Sequence, residues 1–350
     1  MTDGTPVKRE PPSDFSQLFT IIRYELLKHL RSRRLLGSIA VTMLIVALIY
    51  AIPPALGNPY TGHMAQDMEV RIQPPAFGSF AFLNHSHPIN ATIVIHVNGT
   101  LLPETNWTYN DQMNSVIFFQ NLSGKQVVAD FDFKEDATDF AETFMQFTST
   151  LIIIFVTFFG ADALTSEFQN RTAYLLFPNP LRREVMFIGK FIASFAASLC
   201  MVGLFYLAIV ALSVASIGDV AQYILLSFGF SALFLMACLA VSFFVSSIMK
   251  GSTGAIILTF FLLLMIVPII QSVGMISGMK MWFLITFVGD LASTSLNWDN
   301  YPVDHSETVM GFTYYSYYPD PGTSVITMIA YVIIFCAMAV FLFRRRELTG

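Results

Sequence analysis

Charged residues along this chain fall into clusters separated by long apolar runs. Residues 191–218, 220–249 and 251–279 contain no Asp, Glu, Lys or Arg, and only Asp219 and Lys250 separate them. A helix needs about 20 apolar residues to cross the hydrocarbon layer of a bilayer, so each run predicts one span with room for tilt. Three shorter runs have the same character. Residues 35–52 are closed by Pro53-Pro54, 144–161 lie between Glu142 and Asp162, and 322–343 end at Arg344-Arg345-Arg346. The pattern predicts six transmembrane helices.

Between the runs the periodicity changes. Residues 15–34 carry Leu18, Ile21, Ile22, Leu26 and Leu30 at helical spacing, with Arg23, Lys28 and Arg31 mainly elsewhere. This predicts an amphipathic helix lying in the membrane interface before the first span. Residues 91–97, 115–120 and 126–133 alternate apolar and polar positions, and an Asn98-Gly99 turn follows the first of them. That combination predicts strands and hairpins, hence a small β-sandwich within 57–140. Five Asn-X-Ser/Thr triplets in the same stretch, at Asn84, Asn90, Asn98, Asn106 and Asn121, suit an exposed and glycosylated surface. Residues 280–321 are rich in acids and aromatics. Tyr314, Tyr315, Tyr317 and Tyr318 suit the headgroup belt just before the last span.

Composition supports a membrane solvent. Of 350 residues, 55% are hydrophobic and 12% charged, with mean hydropathy +0.61; soluble domains carry about 25% charged residues. The net charge of −5 gives no polybasic surface for nucleic acid. Distribution matters more than the total. With the N-terminus placed inside, 15 of the 19 Lys and Arg residues lie on the cytoplasmic side and only Arg71, Lys125, Lys134 and Lys280 lie outside. The positive-inside rule therefore places both termini in the cytoplasm. The first apolar run follows mostly polar sequence and lacks a small-residue cleavage site, so it reads as a retained span. Cys200, Cys238 and Cys336 all sit in apolar runs, with no metal or disulfide spacing.

The resulting layout is an α-helical polytopic membrane protein with an inserted extracytoplasmic β-rich domain. Its parts are a cytoplasmic N-terminus with its amphipathic helix (1–34), the first span (35–56), the inserted domain (57–140), and spans two to five with a cytoplasmic loop (141–279, loop 162–190). A second outer segment (280–321) and the last span with its tail (322–350) complete it.

Loop 162–190 is the one sizeable loop predicted on the cytoplasmic side. It joins Arg171, an apolar cluster (Tyr174, Leu175, Leu176, Phe177), Pro178, Pro180 and the Arg182-Arg183 pair. Proline ends a helix and fixes a corner, and an apolar patch beside fixed charges suits either a docking surface or a plain hairpin. Catalytic patterns are missing: there is no H-E-x-x-H, no G-x-S-x-G and no G-x-x-x-x-G-K-[ST] phosphate loop. The charge-free spans disfavour a proton- or ion-coupled carrier. His85 and His87, with His63 and His96, allow either a metal site or a loop of solvated imidazoles. Gly274-x-x-x-Gly278 allows a close helix approach.

The series Ser166-Glu167, Arg171-Thr172, Leu175-Leu176, Pro178 or Pro180, Arg182 and Gly189-Lys190 resembles the loop between helices two and three of ABC-2 type transporter permeases. The N-terminal stretch resembles the elbow helix of that family. Arg171 departs from the pattern, which has Gly before Thr172. The resemblance implies a non-catalytic permease subunit of an ATP-driven exporter in the plasma membrane, with no cofactor of its own. ATP and Mg would be held by a separate ABC ATPase subunit docked on Glu167, Arg171, Thr172, Tyr174, Leu175, Leu176, Pro178, Pro180, Arg182 and Arg183. It also implies pairing with a second permease subunit, identical or related, among membrane lipids. The alternative from the residues alone is a membrane-anchored scaffold or receptor whose working part is the β domain.

Overall fold

The computed structural model describes residues 14–56, 59–72, 79–83, 88–110, 113–166, 183–309 and 312–345. Two compact units emerge. One comprises Met1–Val46, Phe144–Ala208 and Gln222–Gly350; the other comprises Ala47–Thr143 and Ile209–Ala221.

Among the described residues the α-helices are α1 (Asp14–Leu30), α2 (Arg33–Ala55), α3 (Ala137–Met145), α4 (Thr148–Phe159), α5 (Arg183–Ser216), α6 (Ile224–Ile248) and α7 (Ser252–Ile276). The short α8 (Ile285–Gly289) and α9 (Leu291–Thr294) follow, then α10 (Pro321–Arg345). Five of these are long and apolar enough to cross a membrane, and six if the bent pair α3 and α4 is one span. The bend is 42°. Within α7 a π turn covers Leu262–Ile266. Pro268 lacks the N–H that would bond back toward the preceding turn, so the ladder loosens just before it.

The first unit is built around α6, whose Phe234, Leu235, Ala237, Cys238, Leu239, Ala240 and Phe243 are fully buried. α10, α4, α8 and α9 pack on it. Where helices end inside this unit, side chains satisfy the backbone, as an apolar surrounding requires. Ser194 donates to the Phe159 carbonyl (2.8 Å), and the Ser246 hydroxyl accepts from Leu164 N–H (3.2 Å) and Thr165 N–H (3.3 Å). The Tyr206 hydroxyl bonds Ser227 (2.8 Å) and Ser231 (2.7 Å), one turn apart on α6.

Residues 280–321, expected as an outer segment, include a stretch from Leu284 to Leu296 that is largely buried in the helical unit. Ile285, Phe287, Val288, Leu291, Ala292 and Leu296 are each about 2% exposed or less. Gly289 lies against the ring of Phe234, ten residues into α6. At 1.5 Å per residue that is about 15 Å from the start of the helix. The chain climbs back through Ser227, which donates to the Ala292 carbonyl (2.5 Å), and the Tyr223–Asp299 bond (2.7 Å). The apolar stretch that makes this excursion is too short to register as a span. After it comes a hairpin of β9 (His305–Val309) and β10 (Phe312–Ser316). Gly278 and Gly274 serve this local turn. Gly278 has φ +73° and faces the Tyr315 ring, and Gly274 faces Met281. Tyr317 donates to the Gly278 carbonyl at 2.8 Å.

Among the described residues of the second unit, eight strands form two antiparallel sheets. The orders are β1-β8-β4-β5 and β2-β3-β7-β6, with β1 Thr61–Asp67, β2 Arg71–Ile72, β3 Ser79–Phe82, β4 Val94–Val97, β5 Thr100–Leu101, β6 Trp107–Asn110, β7 Ser115–Phe118 and β8 Val127–Lys134. Both sheets contribute to one core. Val127, Ala129, Phe131 and Phe133 point inward from β8, and Val116 and Phe118 from β7. Each large buried side chain contributes about 1.5–3 kcal/mol by its removal from water. Asn98 (φ +50°) and Gly99 (φ +80°) form the two-residue turn between β4 and β5, the left-handed pair such a hairpin demands.

A Cβ at Gly289 would lie 2.5 Å from the fully buried Phe234 ring, whereas nothing stands within 4 Å of a Cβ at Gly229. Gly289→Ala is expected to destabilise the purified protein by about 1–3 kcal/mol through overpacking. Gly229→Ala, in the second turn of α6, should be neutral or stabilising by up to about 1 kcal/mol. Thermal unfolding in detergent checks both.

Candidate functional site

The sequence concentrates its candidate chemistry on 162–190, and the described residues frame that stretch at both ends. Glu167, Arg171, Thr172, Tyr174, Leu175, Leu176, Pro178, Pro180 and Arg182 lie outside the described residues. Arg183, the first residue of α5, is described; its Nη1 donates to the Arg344 carbonyl at 2.8 Å. Beside it Glu184 pairs with Arg344.

At the near end of the stretch, Asp162 follows α4 and is 9% exposed. It accepts a two-pronged bond from Arg34 of α2, Nη1 to Oδ1 at 2.8 Å and Nη2 to Oδ2 at 2.7 Å. Arg34 Nη1 also donates to the Phe158 carbonyl (3.1 Å). A planar guanidinium holds a carboxylate in one orientation, so the exit of α4 is clamped to the entry of α2.

At the far end, Gly189 and Lys190 lie on α5 where α1 crosses it. A Cβ at Gly189 would lie 2.6 Å from Ile21 and 3.6 Å from Leu18, so only glycine allows this approach. One residue on, Lys190 donates to Glu25 of α1 at 2.5 Å, and both side chains are buried. Lys28 reaches the other oxygen of Glu25 at 3.3 Å. Leu18, Ile21, Ile22 and Leu26 are half-buried, while Phe15, Phe19, Tyr24 and Leu30 are exposed. The face of α1 turned inward therefore carries a carboxylate among its apolar residues, because Lys190 stands opposite.

α1 passes into α2 through Arg31-Ser32. The Ser32 hydroxyl accepts from Leu35 N–H at 3.4 Å, the position an N-cap serves, and donates to the His29 carbonyl at 2.8 Å. His29 packs edge-on against Phe159 with ring centres 5.4 Å apart. Burial pushes its pKa down to about 4; Glu25 and Asp162 oppose that shift, and Lys28 and Lys190 reinforce it.

Sequence reading flagged Gly189-Lys190 as a motif but gave neither partner. Glu25, Ile21, Arg34 and Asp162 meet only through contacts more than a hundred residues apart. A charged residue on the apolar side of a predicted amphipathic helix was the available signal, and Glu25 carries it.

The other flagged residues fall elsewhere. Asn90, Asn98 and Asn121 are exposed and Asn106 is half-buried; Asn84 lies outside the described residues, as do His85 and His87. His63 bonds Asp132 through Nδ1 (2.9 Å) and Asp130 through Nε2 (2.7 Å), which raises its pKa, with the Asp132 bond the larger cause. Among the described residues no group of three or more His, Cys, Asp or Glu is placed to hold a metal.

A protein-family model described as ABC-2 family transporter protein matches residues 19–348. No curated protein matches the chain.

Two measurements probe this junction. Glu25→Gln removes the carboxylate to which buried Lys190 donates, and loss of one member of such a pair costs about 3–5 kcal/mol. Thermal unfolding should show that loss, and Glu25→Leu with Lys190→Met should recover most of it. Because the docked pKa of His29 lies near 4, below the usual 6.5, docking of α1 is fully favoured above pH 6.5 and weakens as pH falls toward 4. Hydrogen exchange of the α1 amides should accelerate over that window in wild type, and much less in His29→Phe.

Proposed function

The chain belongs to the ABC-2 family of transporter proteins, and from that premise we propose that it is the permease subunit of an ATP-driven exporter. In this reading 162–190 lies in the cytoplasm, as the Lys and Arg distribution directs, and receives a separate ATPase subunit that binds ATP and Mg. α1 is the elbow helix, and the β-rich unit lies outside the cell. Two permease subunits, identical or related, enclose the path.

The observation that carries the reading is the double clamp at the two ends of the loop. Arg34 and Asp162 bind its start to α2 and α4, and Gly189 and Lys190 bind its end to α1. A partner moving the loop as a body would thus move the entries of three spans together. Rigid elements with two arrangements are how a remote event becomes a change at the other end of a bundle. The chain's own residues supply coupling and a path; hydrolysis occurs in the partner.

Affinity purification of the tagged protein in mild detergent should recover an ATPase subunit in near-stoichiometric amount. Arg182→Glu/Arg183→Glu should lower that recovery by roughly tenfold, equal to about 1.4 kcal/mol of binding. Arg71→Glu/Lys125→Glu, in the β-rich unit, should leave it unchanged. No ATPase from wild type, and no effect of the loop variant, would instead support a scaffold whose working part is the β-rich unit.

A further inference from the structure

Between α5 and α10 the helical unit has a shallow groove of about 510 Å³, open on one side and almost wholly apolar. Phe187, Ile188 and Phe191 form one wall, and Cys336, Val340 and Phe341 the other. The first wall is held in place: Phe187 and Phe191 are stacked, and both meet Phe243 of α6 edge-on at 5.5 and 5.2 Å between ring centres. Ala337 is the small residue of the lining. Ile188 (46%) and Phe341 (52%) remain exposed, so no other side chain among the described residues fills the groove.

Its position sets the scale of an occupant. Phe191 lies eight residues from the start of α5, and Cys336 nine from the end of α10. At 1.5 Å per residue the groove runs roughly 12–14 Å along the helices from the end that carries Arg183 and Arg345. That is close to one leaflet, about half of the 30 Å hydrocarbon thickness.

Among the described residues the mouth carries mostly arginines. Arg344 lines it and Arg345 lies over the Phe341 ring at 4.2 Å. Arg183 stands beside them, bonded to the Arg344 carbonyl, and Glu184, paired with Arg344, is the only acid among the four. Long basic side chains at a span end keep their heads at headgroup level, where anionic headgroups collect.

We propose that the α5–α10 groove is a binding site for one anionic phospholipid of the leaflet at the arginine end. An acyl chain lies between Phe187, Phe191 and Val340, and the phosphate meets Arg344 and Arg345. The apolar channel supplies area and the arginines supply selection. Zwitterionic lipid gains the first and little of the second. The proposal stands on this geometry alone, whether or not an ATPase drives the protein.

Native mass spectrometry of the full chain tests it, after delipidation and exposure to equal phosphatidylglycerol and phosphatidylcholine. Wild type should retain one phosphatidylglycerol per chain with a preference of about fivefold or more, the scale of one arginine near a headgroup. Arg344→Gln/Arg345→Gln should erase the preference, and Ala337→Trp should expel the lipid. If Ala337→Trp fails to fold, the native thiols report instead: phosphatidylglycerol should slow reaction of Cys336 with a membrane-permeant maleimide relative to Cys200, and phosphatidylcholine should not. Equal retention of both lipids, or a Cys336 rate that phosphatidylglycerol leaves unchanged, overturns the proposal. So does an altered oligomeric state in Ala337→Trp with lipid retained, which would assign the groove to a second copy of the chain.

Discussion

Every backbone N–H and C=O in an apolar surrounding needs a partner, and most of this structure follows from that one requirement. Long charge-free helices meet it internally. Where helices break, side-chain hydroxyls and guanidinium groups meet it instead: Ser194 and Arg34 at the end of α4, Ser246 under the turn that follows, and Ser227 at the Ala292 carbonyl. These buried serines are placed where the backbone is irregular or where helices touch, as with Tyr206 between Ser227 and Ser231.

The same logic applies to charge. A buried carboxylate is tolerated on α1 because Lys190 opposes it, and the pair costs desolvation that its attraction only partly offsets. What such a pair supplies is register. With Gly189 admitting Ile21 one residue earlier, it fixes both how close α1 comes to α5 and where along its length it sits. Arg34 and Asp162 do the same for α2 and the exit of α4.

The spans were legible because a chain rarely runs about 20 apolar residues without a charge unless lipid surrounds it. The β4–β5 hairpin was legible because Asn98-Gly99 tolerates positive φ. Less visible was β1, whose sequence Thr61–Asp67 has no apolar alternation and which is held by pairing along β8. The burial of 285–297 was not visible, since its apolar stretch is too short to read as a span and meets its partners only in three dimensions. For the candidate site, local pattern marked the loop and Gly189-Lys190. The partners that give those residues a role, Glu25 and Ile21, belong to a distant segment, and only folding joins them.

The bend between α3 and α4 has a consequence for the surrounding lipid. α4 alone, at 12 residues, extends about 18 Å, well short of the hydrocarbon thickness. A helix that short facing lipid would force the bilayer to thin around it. Leu151, Ile152, Ile153, Phe155, Val156 and Phe159 are instead almost fully enclosed by protein, so the mismatch is absorbed within the bundle. α10, at 25 residues and with few of them fully buried, is matched to the full layer. Sensitivity to bilayer thickness should therefore reside in α10, while α4 is insulated from lipid by the protein around it.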